Sequence, residues 1–296
     1  MARRGRKQSD SRVSGCVVID KPAGCTSHDV VDQVRKALGT RKVGHAGTLD
    51  PDATGVLVLG VGLGTKLPQF VTDSDKSYEG TVRFGVETST LDAAGEVTDT
   101  HDMTVDLDAV AAATETFVGD IEQIPPMVSA IKVDGKRLHE LAREGKEIAR
   151  EARPVTVGRF DVAPTDDPLL YSLSIDCSSG TYIRSLAADL GTALGGGAHL
   201  ASLRRTAVGP FTLDDCSSIE DVALLPVIEL LRGMAVIDVD DVVADQVRNG
   251  RSMGPAPGSG RLVVRGPDAE LLAVYEARDG ELRPVKVLAA AGASSV

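Results

Sequence analysis

Residues 42–55 read Lys42-Val43-Gly44-His45-Ala46-Gly47-Thr48-Leu49-Asp50-Pro51-Asp52-Ala53-Thr54-Gly55, and the apolar run Val56 to Val61 follows at once. That run has the length of a strand buried on both faces. Pro51 fixes its own φ and biases Asp50 toward extended backbone, so no helix crosses this point. Glycines admit backbone geometries closed to other residues and let a ligand approach the main chain. The stretch is therefore an irregular loop seated on a buried strand, carrying an imidazole, a hydroxyl and a carboxylate. Catalytic groups concentrate on loops fixed to rigid scaffolds in this way. Taken alone, an Asp-Pro step reads just as well as an Asx turn. The rest of the chain has to decide.

Working outward toward the N-terminus, Cys16 to Asp20 form a short apolar strand that runs into a turn at Lys21-Pro22-Ala23-Gly24. Thr26 or Ser27 caps a helix whose apolar positions are Val30, Val31, Val34 and Leu38, and Gly39 stops it. Residues 1–13 are polar and basic without periodicity and read as a disordered arm. On the other side, Tyr78 to Phe84 alternate as a strand, 87–100 are polar and turn-rich, and Val105 to Phe117 read as an amphipathic helix. Beyond Pro125-Pro126 the pattern predicts a strand at 128–133 and a basic helix near 136–144, then strands at 155–162 and 169–177. Ser178 to Thr181 start a helix with Tyr182 and Arg184 in its first turn; Ile183, Leu186, Leu190 and Leu194 form its apolar face. A bent strand pair covers 198–211, and two short helices fit 218–234. After about residue 237 a helix near 242–248 precedes alternating strands at 261–265, 271–276 and 282–288. The fold class expected is α+β: a large unit at 14–236, then a small β-rich unit at 237–292.

Composition narrows the function. No apolar run reaches the roughly 18 residues of a membrane span, and no signal-peptide core follows the basic start, so a cytoplasmic protein is expected. The cysteines at 16, 25, 177 and 216 show no metal-binding spacing, and no metal is expected. Trp is absent, and Phe and Tyr together number nine, too few for a broad stacking platform. The net charge of −11 argues against a polyanionic partner. Its distribution answers in part: 84–131 hold ten carboxylates and no Lys or Arg, and 211–247 hold nine with a single base, Arg232. The remainder is net basic, and steering follows the local potential rather than the total.

Four stretches together carry a resemblance. Gly44 to Leu57 (GHAGTLDPDATGVL), Lys21 to Ser27 (KPAGCTS), Ser179 to Arg184 (SGTYIR) and His199 to Thr206 (HLASLRRT), with Tyr78 in Lys76-Ser77-Tyr78, resemble the motifs of the TruB family of tRNA pseudouridine synthases. They stand in family order over roughly 190 residues, which no single motif could match for specificity. One departure is Asp52, where the family often has methionine.

The resemblance implies a pseudouridine synthase fold with a mixed, largely antiparallel central sheet as the catalytic unit at 14–236, a PUA-like C-terminal domain at 237–292, and isomerisation of uridine 55 in the tRNA T-loop. It makes Asp50 the nucleophile, Arg184 the cation that keeps it ionised, and Tyr78 a residue stacked on the target uracil. Tyr182 and Leu203 would line the base pocket, and His45 would fill the gap left by the flipped nucleotide. A basic insertion at about 126–153, including Lys132, Arg143 and Lys146, would grip the tRNA arm, and Arg204 and Arg205 would hold phosphate. No atoms are added in the reaction, so no cofactor is expected. The free-standing bacterial branch fits the insertions between 87 and 153, so neither guide RNA nor protein partner is expected. The rival readings are an RNA-guided synthase and a non-catalytic RNA-binding protein. Arg184 also has a plain reading as an exposed helix-start side chain, and Tyr78 as an ordinary sheet residue.

Overall fold

The computed structural model describes residues 13–129, 132–133, 136–137, 148–256 and 258–288. The Asp50 loop is flanked by two apolar strands that pair with each other: β1 (Gly15–Lys21) runs antiparallel to β3 (Thr54–Val61), with Lys21 opposite Gly55. Between them lie α1 (Ser27–Ala37) and β2 (Val43–His45). Thr26 caps α1 by accepting from the Asp29 amide at 3.1 Å, while the Asp29 carboxylate accepts from the Thr26 amide at 2.8 Å. This reciprocal pair satisfies donors that a helix start otherwise leaves open. Val30, Val31 and Val34 then bury one face of α1 against Leu57, Leu59 and Ile19.

The chain continues through α2 (Pro68–Thr72), β4 (Lys76–Phe84) and a hairpin of β5 (Val86–Thr88) and β6 (Val97–Thr100). Next come α3 (Leu107–Glu115), β7 (Gly119–Gln123), a short pair β8 (Lys132–Val133) and β9 (Lys136–Arg137), then β10 (Arg153–Pro164) and β11 (Leu170–Cys177). Helix α4 (Ile183–Ala193) leads into β12 (Ala198–Val208) and β13 (Phe211–Thr212). The strand order is β1-β3-β12-β4-β11-β10-β7, with β2 on β3 and β13 on β12. Among the described strand pairs of this sheet, only β3–β12 is parallel. The sheet is mixed and largely antiparallel, as the resemblance implies.

A second sheet, ordered β14-β16-β17-β18-β15, is built from β14 (Ala235–Asp238), β15 (Met253–Pro255), β16 (Gly260–Arg265), β17 (Leu271–Arg278) and β18 (Glu281–Val287). Helix α5 (Asp241–Arg248) packs Ala244 and Val247 onto Leu262, Leu272 and Tyr275.

Several expectations change. Of the strand expected at 128–133, Lys132–Val133 form one, 128 and 129 lie in a bend, and 130–131 fall outside the described residues; the edge strand of the large sheet comes earlier, at β7, before Pro125 and Pro126 interrupt pairing. Lys136 and Arg137 lie in a strand rather than a helix; the rest of the expected basic helix falls outside the described residues. The polar stretch 87–100 holds a hairpin instead of turns alone. Among 218–234 a single 3-10 turn forms, at Val227–Leu231. The small sheet starts at Ala235, because β14 pairs parallel to β16.

Candidate active site

The Asp50 loop is held from beneath by a buried cation. Lys21 is 0% exposed, and its ammonium donates to the carbonyls of Pro22, Pro51 and Ala53 at 2.9, 2.8 and 2.7 Å. Burial lowers its pKa. Ser27 adds a second tie: its hydroxyl accepts from the Leu49 amide at 2.9 Å and donates to the Leu49 carbonyl at 3.1 Å. The Gly24 amide donates to Pro51 O at 3.1 Å. Loop carbonyls that no strand can satisfy are thus paired by side chains.

The Asp50 side chain is about half open, at 48%, and faces Arg184, whose side chain is only 7% exposed. Arg184 Nη2 lies 3.3 Å from the Asp50 carboxylate, and Nη1 lies 3.3 Å from that of Asp92. Nη2 also donates to the Val128 carbonyl at 2.7 Å. Tyr182 is the N-cap of α4 and contributes no side-chain cap. A positive charge in the first turn is unfavourable for the helix itself, so the two carboxylates supply what the helix does not. Burial pushes the Asp50 carboxyl up, Arg184 opposes this, and Asp92 adds to the rise.

Asp92 gave no signal in the sequence. It sits between β5 and β6, where the Ala93 amide donates to Leu200 O and the Leu200 amide to Leu91 O, both at 3.0 Å. Its carboxylate accepts from the Thr90 hydroxyl and from the Ala94 amide. The hairpin thus presents a fixed acceptor to Arg184.

Tyr78 lies on β4 opposite Arg205 of β12 and Ile175 of β11. The ring is 9% exposed, and burial raises the phenol pKa, with Arg205 opposing. Leu203 stands opposite Gly80 on the same strand pair and is half-buried against the core. Register breaks on β12 at Leu200/Ser202 and Arg205/Ala207 frame this segment and re-aim its side chains. His45, on β2, is half-buried; burial first and Arg205 second lower its pKa, which favours the neutral ring.

The two adjacent arginines part company. Arg205 is 2% exposed; its Nε donates to Val56 O at 2.8 Å and its Nη1 to Thr48 O at 3.5 Å. The expectation that it holds phosphate is corrected: it is a core side chain that ties the loop to β12. Arg204 points the other way and grips Asp20 through both terminal nitrogens, at 3.0 and 2.7 Å. It lines an open groove of about 610 Å³ with Asp52, Thr54, Glu79 and Leu203. Of the other phosphate candidates, Lys132 lies in β8, while Arg143 and Lys146 fall outside the described residues. Among the described residues no group of His, Cys, Asp and Glu is arranged to hold a metal.

Among the described residues, then, a carboxylate on a pinned loop faces a buried arginine, and a buried tyrosine stands on β4 opposite Arg205. Residues 35–183 match the family model described as TruB family pseudouridylate synthase (N terminal domain), which gives the class: a pseudouridylate synthase. Residues 184–229 match the tRNA pseudouridylate synthase B C-terminal domain, and 234–289 match tRNA Pseudouridine synthase II, C terminal. Proteins named tRNA pseudouridine synthase B from Mycobacteroides abscessus and Corynebacterium aurimucosum are each 46% identical to this chain, over 93% of it and 96% of the relative. That of Thermobifida fusca is 44% identical over 93% of this chain and 98% of its own. The chain belongs to the TruB family. The fold is shared with a chain of an H/ACA ribonucleoprotein bound to a substrate RNA, at a TM-score of 0.70 and 22% identity over 93% of this chain and 84% of that one. An archaeal box H/ACA ribonucleoprotein gives 0.69 and 22% over 94% and 87%.

Proposed function

We propose that this chain is a tRNA pseudouridine synthase that converts uridine 55 of the T-loop, with Asp50 as the nucleophile. The observation that carries the mechanism is the 3.3 Å approach of the buried Arg184 guanidinium to a carboxylate on a loop pinned at Lys21 and Ser27. Isomerisation breaks the C1′–N1 bond, turns the uracil and joins C5 to C1′; C5 loses its proton and N1 gains one. A carboxylate can carry the covalent intermediate that divides this into easier steps. It must be ionised to do so, and Arg184 offsets the desolvation that works against ionisation. Tyr78 stacks on the target uracil, Tyr182 and Leu203 enclose it, and His45 fills the place of the flipped nucleotide. Unstacking costs a few kcal/mol, part of which an inserted ring offsets.

Lys132, Arg143 and Lys146 of the basic insertion serve the RNA backbone, joined by Arg204 once it exchanges Asp20 for phosphate. Residues 14–236 form the catalytic unit, and the small PUA-like unit at 237–292 adds RNA surface. The enzyme acts in the cytoplasm without guide RNA or protein partner.

Asp50→Asn tests the reading. The variant folds and binds a tRNA T-arm hairpin as the unmodified chain does, and forms no pseudouridine, measured as tritium release from C5-labelled uridine. Asp52→Asn, on the exposed side of the loop, keeps most of the activity. Conversion by Asp50→Asn at a near-normal rate would sink the assignment.

A further inference from the structure

Arg184 is held by a part of the chain that none of the motif stretches includes. The side chain of Gln123, at the end of β7, is 3% exposed. Its amide oxygen accepts from the Tyr182 amide at 2.7 Å, and its amide nitrogen donates to the Tyr182 carbonyl at 3.1 Å. Tyr182 has no side-chain cap of its own, and its carbonyl also accepts from the Ser185 and Leu186 amides. The glutamine therefore pairs with the N–H and C=O of the N-cap residue of α4 as a neighbouring strand would. Five residues on, Val128 supplies the carbonyl that Arg184 Nη2 donates to, and this is the same nitrogen that faces Asp50. Between them, Arg150 Nη1 donates to the Pro125 carbonyl at 3.1 Å. One short segment, 123–128, thus fixes both the backbone that launches Arg184 and the guanidinium at its end.

We infer that Gln123 is a positioning residue for the reaction: by fixing the Tyr182 backbone it sets the line along which α4 delivers Arg184 to Asp50, and the seat of the Tyr182 ring. The inference rests on the reading of Asp50 as nucleophile. A buried amide whose oxygen and nitrogen are both bonded to the backbone of one residue has no freedom to swing, and a displacement of about 1 Å in a catalytic group can cost on the order of 100-fold in rate.

Two substitutions in the full chain separate this from a role in folding alone. Gln123→Met keeps the length and removes both hydrogen bonds; Gln123→Glu keeps the acceptor and removes the donor. Single-turnover conversion of a T-arm hairpin is followed against pH, together with hairpin affinity and melting temperature. For Gln123→Met the plateau rate drops by about 10–100-fold while affinity stays within about twofold. The acid limb of its profile moves to higher pH, because Asp50 keeps less of the cation that opposes its burial. Gln123→Glu falls between this variant and the unmodified chain. A plateau rate and acid limb equal to those of the unmodified chain, with or without a lower melting temperature, overturn the inference. If the unmodified chain itself converts no uridine, the functional reading fails instead. The Asp50 carboxyl titration by carbon-13 NMR, compared between the unmodified chain and Gln123→Met, then decides, and an unchanged titration overturns the positioning role.

Discussion

Arg184 places one positive charge between two carboxylates, 3.3 Å from each, and only one of them is the proposed nucleophile. Asp92 has opposite effects on the reaction: it orients the guanidinium, and its own charge raises the Asp50 pKa. Asp92→Asn separates the two. Losing a charge-assisted partner of Arg184 costs about 1.5–3 kcal/mol of positioning, or roughly 10–100-fold in plateau rate. Arg184 Nη2 keeps its bond to Val128 O and so stays in reach of Asp50; the departing like charge then decides the acid limb, which moves to lower pH. A rate profile against pH checks both, and an unchanged plateau would show that Asp92 orients nothing. At this scale the sequence singled out the groups that lie in motifs, Asp50, Tyr78 and Arg184, and was silent on Asp92 and Gln123. Both of these come from segments whose local pattern is that of a turn and an edge strand, and only tertiary pairing brings them to the site. The Arg204-Arg205 pair is different, since the signal was present. Neighbouring strand residues point to opposite faces, so two consecutive arginines on β12 could not both meet one phosphate backbone, and the inner one became core.

The Asp50 loop is an element shaped by two glycines with φ near +100°, and they differ in what surrounds them. A Cβ on Gly47 would meet nothing nearer than Arg205 Nη1 at 3.8 Å, whereas a Cβ on Gly55 would stand 2.1 Å from the Arg205 carbonyl. Gly55 is where β3 and β12 run parallel, with the backbones too close for any side chain. Gly47→Ala therefore costs the backbone strain of an unfavourable φ, about 1–3 kcal/mol. Gly55→Ala adds a clash with main chain that cannot swing aside, and its loss is the larger. Denaturant midpoints of the two variants check the order, and equal losses would mean that the strand contact gives way easily. The elements themselves were legible wherever apolar periodicity was clean, as in α1, β3, β11 and α4. They were missed where pairing, not local pattern, makes the strand. The polar edge strand β7 (Gly-Asp-Ile-Glu-Gln) and the β5–β6 hairpin are of this kind, because an edge open to solvent imposes no hydrophobic alternation.

Across the whole molecule, the small terminal sheet is joined to the catalytic unit by shared core. Val263 and Val274, both 0% exposed, and Leu288 pack in one cluster with Leu67, Phe70, Val71 and Phe211. The Arg261 guanidinium lies 5.5 Å from the Phe70 ring centre, and its Nη1 is 3.9 Å from the Asp73 carboxylate. Burying an aliphatic or aromatic side chain contributes about 1.5–3 kcal/mol, so three from the terminal sheet amount to roughly 5–9 kcal/mol. That is comparable to the whole stability of a domain, about 5–15 kcal/mol. The two units are therefore expected to unfold together. Calorimetry should give one transition whose calorimetric and van't Hoff enthalpies agree. Phe70→Ala, which empties the shared cluster from the catalytic side, lowers that transition by the equivalent of about 3–5 kcal/mol, and hydrogen exchange in β16 and β17 speeds up with it. Two separate endotherms, or exchange in β16 and β17 that ignores Phe70→Ala, would mean that the sheets merely touch. The distinction bears on the proposed function, because the RNA surface proposed for the terminal sheet could place a target nucleotide over the proposed nucleophile Asp50 only if the two units hold a fixed relation while the RNA is bound.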